Sequence, residues 1–518
     1  MDDIELTPRT CSEPESPQAQ SDVSPSKDMA RGSSGRTPLP KLQLLVLLYI
    51  QLAEPITCTV IYPFVNQLVR ESGVTSGDER KTGYYAGLIE SIFYATEAAT
   101  VLQWGRASDV VGRKPIILIG LFGLALSVLS FGVSRQYWTL VLSRCAEGVL
   151  NGNVGVVKSV MAEITDESNM AQGFAFLPMI WSTGSIIGPL LGGILAHPEV
   201  KWPHSIGRLA FFHKYPYFLP CLSAASFSMT AFILTLLFLR EGSSRSLARG
   251  WLRWCSAKEG PLPDDNGKDV PHFTEEPQVI GAQKASTSTP IQSLFTRSVV
   301  IPIINYGFLA FVDQSVMVLQ PLMYSTSITL GGLSFSTNTI GIILAAWGIV
   351  NGIVQIFAFP PLLRRLGPRK LYVSSFACYS VALATFPLMN YLAKKSGHVD
   401  AKVWTVLVAQ LIAYLAAYNA YGCVFVCVNN GAPSKEALGA TNGLAQTTAS
   451  MMRAIAPSVS SSLFSLSLER NLAGGTAVYW ILCALVIGGV FAATHLPSRL
   501  STQSGVEDPR GLGGNPPK

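Results

Sequence analysis

Charge is scarce in this 518-residue chain. Only 14% of its residues are Asp, Glu, Lys or Arg, while 49% are hydrophobic, against roughly 25% charged in an ordinary soluble domain. A chain so composed has too little polar surface to cover a soluble globule. The six histidines (His197, His204, His213, His272, His398 and His495) fall in loops or at the ends of apolar segments. None is paired at metal-ligand spacing within a segment, so neither a metal nor any other cofactor is expected. No G-x-x-x-x-G-K-[ST] loop is present, which removes support for ATP-driven pumping. No nucleophile elbow or carboxylate-and-metal cluster points to an enzyme, and no nucleic-acid partner is expected. No apolar core follows Met1, so a cleavable signal peptide is not expected and the first apolar segment must itself direct insertion.

What the chain does have is apolar blocks of about 20 residues, the length that crosses a hydrocarbon core of roughly 30 Å. Twelve are marked, at 42–67, 83–104, 115–133, 138–162, 171–195, 216–239, 298–323, 337–359, 371–392, 403–428, 439–467 and 476–496. They lack the period-two alternation of a barrel strand, and an isolated block satisfies its backbone in lipid only as a helix. The chain is therefore expected to be an all-α polytopic membrane protein of two six-helix bundles, residues 41–239 and 298–496. Residues 1–40 are rich in Ser, Pro and charge and read as a disordered tail. Residues 240–297, with "SSRS", "GPLPDDNG" and "STSTP", read as a linker, and 497–518 as a second tail. Seven of the nine cysteines lie inside the apolar blocks and read as small membrane hydrophobes. The densest cationic clusters, together with the linker and tails, place both termini in the cytosol.

Two of those clusters occupy the same place in each half, between its second and third spans. The first, "GRASDVVGRKP", holds Gly105, Asp109, Gly112, Arg113 and Lys114; the second, "RRLGPRK", keeps Gly367, Arg369 and Lys370 but has Arg364 where the acid would stand. An internal six-plus-six repeat follows. The first loop carries the complete G-x-x-x-D-x-x-G-R-K pattern and resembles the signature of the major facilitator superfamily. "RCAEGVLNG" in span 4 matches its R-x-x-Q-G element at Arg144 and Gly148, with Glu147 in place of Gln. "GSIIGPLLGG" in span 5, with Gly184, Gly188, Pro189, Gly192 and Gly193, matches the element characteristic of its antiporter branch. More narrowly, "LAEPITCTVIYPFV", "NGNVGVVKSVMAEITD" and "TNGLAQTTASMMRAIAPSVS" resemble fungal transporters related to the tetracycline-resistance and zinc-induced-facilitator-like groups. The resemblance implies that Asp109 latches onto the start of span 11, and that Arg113 pairs with Glu163 or Asp166 at the end of span 4. Charges that simply hydrate the loop and set topology are the plainer alternative. The three glycines Gly184, Gly188 and Gly192 recur every four residues and form a stripe for close helix approach, and Pro189 is expected to bend the span.

Charges within the spans are the sharper candidates, because an ionised group at mid-bilayer costs at least about 2.5–3.5 kcal/mol and faces a cavity or a partner. They are Glu54 in span 1, Glu90 and Glu97 on one face of span 2, Arg144 and Glu147 in span 4, Asp313 in span 7 and Arg453 in span 11. Burial disfavours the ionised form of a carboxyl, which is the property a proton carrier uses. Glu54 is the first candidate for a proton or cargo site, Glu147 and Asp313 the next, with Arg144 as electrostatic partner; a structural ion pair is the competing role for each. Lys158 is expected to snorkel. Tyr414, Tyr418 and Tyr421 on span 10, with Trp347 on span 8, are expected to serve helix packing ahead of cargo binding. The expected activity is proton-coupled export of a small organic compound by a monomer in the plasma or vacuolar membrane. The alternatives are a proton-independent facilitator or uptake system, or a transporter-like sensor.

Overall fold

A computed structural model describes residues 40–165, 170–239, 296–431, 433 and 438–496. Every regular element among them is a helix. The first half comprises α1 (Lys41–Thr59), α2 (Val65–Glu71), α3 (Thr82–Val111), α4 (Arg113–Val133), α5 (Tyr137–Leu150), α6 (Asn153–Ile164), α7 (Met170–Leu195), the short α8 (Pro198–Lys201) and α9 (Ala210–Lys214), and α10 (Phe218–Phe238). The second comprises α11 (Arg297–Ser325), α12 (Thr337–Phe357), α13 (Phe359–Ser396), α14 (Ala401–Gly431), α15 (Leu438–Glu469) and α16 (Ala477–Ala493). Helices thus occupy the positions of all the marked apolar blocks. Seven of them are both long and apolar enough to cross a membrane.

Three boundaries depart from expectation, each for a local reason. The first block is not one helix. Pro63 has no N–H to give the Thr59 carbonyl, so α1 stops at Thr59 and the chain turns before α2. The fourth block breaks at Asn151 and Gly152, where the Trp104 ring of α3 fills the space a side chain at Gly152 would need. The charged segment between the second and third blocks is not a loop. α3 continues through Arg106 and Asp109 to Val111, and only Gly112, at φ 115° and ψ 156°, separates it from α4. Gly367 repeats that break at φ 75° and ψ 162° inside α13; positive φ is the region where lacking a Cβ matters. α7 runs unbroken through Pro189.

The apolar core is divided. One cluster is drawn from residues between Val299 and Leu496, and two others from residues between Leu44 and Leu239. The halves meet along two helix pairs whose contact surfaces are small residues. A methyl group on Gly193 of α7 would lie 2.8 Å from the Gly341 Cα of α12. On α3, Gly83 and Gly87 face Ser461 and the Pro457 carbonyl of α15, and the Ser458 amide donates to Ser91 Oγ at 3.0 Å. Such approach is how helices associate in lipid, where packing and hydrogen bonds replace the hydrophobic drive.

Candidate functional site: buried charges between the two halves

Glu54 lies just before Pro55 on α1 and is 6% exposed; Gln51 Nε2 donates to its Oε2 at 3.2 Å. The cations that act on it are Lys158 of α6 and Arg453 of α15, and the same two act on Glu97 of α3. Asn151, freed from the helix ladder at the α5–α6 break, donates to Glu97 Oε1 at 3.2 Å. Two acids and two cations from four helices therefore lie within electrostatic reach of one another, Arg453 being contributed by the second half. Lys158, expected to snorkel, is partly buried, and its ammonium lies within electrostatic reach of Glu54, Glu97 and Arg453. From sequence its place near the end of a span hid that role.

A second group lies between α3 and α5. Arg144 Nη1 donates to Glu147 Oε2 at 2.8 Å, and each side chain is 1% exposed. The guanidinium carbon stands 4.5 Å from the centroid of the Phe93 ring, a cation–π contact. Glu90, fully buried, is a further charge acting on Arg144. Glu90 and Glu97 do share one face of α3, as their spacing requires, but serve different groups. Arg144 Nε and Nη2, Glu147 Oε1 and Glu90 Oε2 lack hydrogen-bond partners, so this pocket has unused donors and acceptors.

The third group belongs to the second half. Asp313 of α11 accepts from three phenols: Tyr379 on α13 at 2.8 Å and Tyr414 on α14 at 2.9 Å, both at Oδ1, and Tyr421 on α14 at 2.9 Å, at Oδ2. Both carboxyl oxygens serve as acceptors for these three phenols. Tyr414 and Tyr421 are thus ligands of an acid rather than simple packing residues. Trp347 stacks on Tyr414 with ring centroids 4.4 Å apart.

Arg113, just past Gly112, donates from Nε to Glu163 Oε1 of α6 at 3.0 Å, and Glu163 is one of the two expected acids. Asp166 and the Asp109 side chain lie outside the described residues. Lys114 Nζ donates to the Leu236 carbonyl in the last turn of α10 at 2.8 Å. Arg369, two residues after Gly367 as Lys114 is after Gly112, donates to the Thr494 carbonyl at the end of α16. In both halves a cation thus binds the carbonyl end of the half's last helix, where the macrodipole favours it. Gly105 faces open space.

On α7 the stripe is shared between two neighbours. Gly184, Gly188 and Gly192 face Pro55, Thr59 and the Val60 carbonyl at the end of α1, while Gly193 and the Pro189 carbonyl face Gly341 of α12. At the end of the bundle where α3 begins, Glu79 Oε1 accepts from Arg70 Nη1 at 3.0 Å and from the Ser327 amide at 3.0 Å, and Arg70 Nη2 donates to the Ser325 carbonyl at 3.2 Å. Tyr84 adds a bond to Glu469 at 3.0 Å. This bridge between halves was missed from sequence, where only the charges flanking span 2 hinted at it. Among the described residues no group of three or more His, Cys, Asp or Glu could hold a metal ion.

A multi-pass helical bundle with charges from several helices turned into its interior has the pattern that marks substrate or ion pathways and other functional sites within membranes. The profile of the Major Facilitator Superfamily matches residues 47–457. A multidrug transporter of that superfamily from Aspergillus fumigatus, mfsB, is 30% identical, with 88% of this chain and 83% of the relative covered. The zinc-induced facilitator 1 protein of Arabidopsis thaliana is 28% identical over 89% and 92% of the two chains. Among solved structures, a D-xylose–proton symporter superposes with a TM-score of 0.63 at 14% identity, covering 89% of this chain and 99% of its own. The chain belongs to the Major Facilitator Superfamily. It is an integral multi-pass membrane protein and a secondary transporter of small molecules rather than an enzyme.

Proposed function

We propose that the protein exports a small organic compound in exchange for protons. The observation that carries this reading is the meeting of Glu54, Glu97, Lys158 and Arg453 from both halves. Two titratable acids within electrostatic reach of a lysine and an arginine give a site whose net charge changes by one with each proton taken up. A site shared between halves is also one that their relative movement opens to either side. The likeness to the Aspergillus multidrug transporter supports a broad organic cargo, and the span 5 glycine element supports exchange. In this reading residues 41–239 and 298–496 rock as two units joined by the 240–297 linker, and the protein acts as a monomer. Both termini are cytosolic, and the membrane is the plasma or vacuolar one. Asp109 and the Arg113–Glu163 pair then stand at the cytosolic end as a conformational latch, with Arg70 and Glu79 closing the opposite end.

Reconstituted vesicles test this. Cargo flux should rise when protons are supplied on the side toward which cargo moves, and Glu54→Gln and Glu97→Gln should abolish that response. Flux by the unaltered protein that ignores the imposed pH gradient sinks proton coupling and leaves a facilitator. Binding without flux leaves a sensor.

A further inference from the structure

Beside α2, at the end of the bundle where α3 begins, lies a cavity of about 160 Å³ that the transport reading does not use. Its wall includes Arg135 from the turn between α4 and α5, and His213 and Lys214 from the α9 segment, all three exposed. Among the described residues none of the three has an ion-pair partner. The acid in the same wall, Glu71, already accepts from Gln67 Nε2 at 2.8 Å. Lys214 Nζ rides 5.3 Å from the centroid of the Tyr215 ring, which fixes the ammonium over the cavity's edge. Pro216 and Tyr217 complete that side of the wall.

The surroundings give the depth of the cavity. Val133, Trp138 and Phe211 stand next to it in sequence and are 41%, 72% and 41% exposed. Exposed apolar side chains on a membrane protein face hydrocarbon, and Trp interleaved with cations marks the boundary with water. Two cations, Arg135 and Lys214, with the His213 imidazole in the same wall, surround a small cavity at that boundary and suit a phosphate in size and charge.

We propose that this cavity binds the phosphate of an anionic phospholipid headgroup or free phosphate. The full chain in detergent, titrated with phosphatidylglycerol, phosphatidylcholine or inorganic phosphate and followed by native mass spectrometry, tests it. At about 1 kcal/mol per cation near a charged surface, Arg135→Gln/His213→Gln/Lys214→Gln should weaken the first phosphatidylglycerol at least about tenfold and leave phosphatidylcholine unchanged. Arg364→Gln/Arg365→Gln, on α13, should leave both unchanged. Retention of phosphatidylglycerol against millimolar phosphate supports the lipid, and displacement by phosphate supports the soluble ion. Unchanged phosphatidylglycerol and phosphate affinity in the triple variant overturns the proposal, as does an equal loss in the Arg364/Arg365 variant. If the triple variant does not elute as a folded species, Lys214→Gln alone is measured, and an affinity equal to that of the unaltered protein overturns it.

Discussion

Replacing Glu147 with Leu should damage the protein more than replacing Arg144 with Met, although both changes break the same ion pair. The pair is direct, at 2.8 Å, and neither side chain is more than 1% exposed, so water cannot substitute for the missing partner. Removing one member of a buried pair costs about 3–5 kcal/mol, because the other is left as an uncompensated charge. The two survivors differ. A lone carboxyl can take up a proton and become neutral, whereas a guanidinium cannot lose one. Glu147→Leu should therefore cost about 3–5 kcal/mol, moderated by Glu90 and by the Phe93 ring, which both act on Arg144. Arg144→Met should cost roughly 1–3 kcal/mol, the penalty of burying an unpaired polar group. The double variant should recover most of the loss, as when buried ion pairs are replaced by apolar side chains of similar volume. Thermal unfolding of the four proteins in one detergent, together with their folded yield from membranes, measures this. A double variant no more stable than Glu147→Leu, or an Arg144→Met variant that is the least stable of the set, would refute the reasoning.

Further outcomes follow from other contacts. Tyr379→Phe, Tyr414→Phe and Tyr421→Phe should each cost about 1.5–3 kcal/mol, the value of a hydrogen bond to a charged group, and lower the unfolding temperature; three silent substitutions would mean that Asp313 is held by something else. Gly192→Val places a side chain against the Val60 carbonyl, so membrane levels should fall sharply, while valine at Gly105, which faces open space, should be tolerated at the packing level. Glu79→Gln weakens the bridge among Arg70, Ser325 and Ser327. Cysteines introduced beside it should then react faster with a membrane-impermeant thiol reagent, and an unchanged rate would remove Glu79 from the closure of that end. Lys114→Ala, which frees the Leu236 carbonyl, should cost only about 0.3–1 kcal/mol, read from the same melting curves.

The spans were legible because the bilayer demands long apolar runs whatever the neighbours are, and the runs survive in the sequence as blocks. The interior charges were legible for the complementary reason, that a charge inside such a block is costly. Which charges meet was not legible beyond the i, i+3 pair of Arg144 and Glu147. Lys158 illustrates why: its direction depends on the rotation of α6, which follows a break at Asn151 and Gly152 where Trp104 from another helix packs. Tyr414 and Tyr421 showed their shared face in their spacing, but their partner Asp313 is about a hundred residues away. The segment at Gly112 was misjudged as a loop because charge was weighed above helix continuity, which Arg106, exposed on α3, does not disturb.

The matching breaks at Gly112 and Gly367 bear on how the two halves have diverged. The acid of the first copy has become Arg364 in the second, yet the backbone angle and the cation two residues later are kept, with the same attachment to the last helix of the half. Shape has outlasted charge between the copies. A search for duplicated halves in distant relatives would therefore do better to follow a glycine at positive φ than to follow the charged pattern around it.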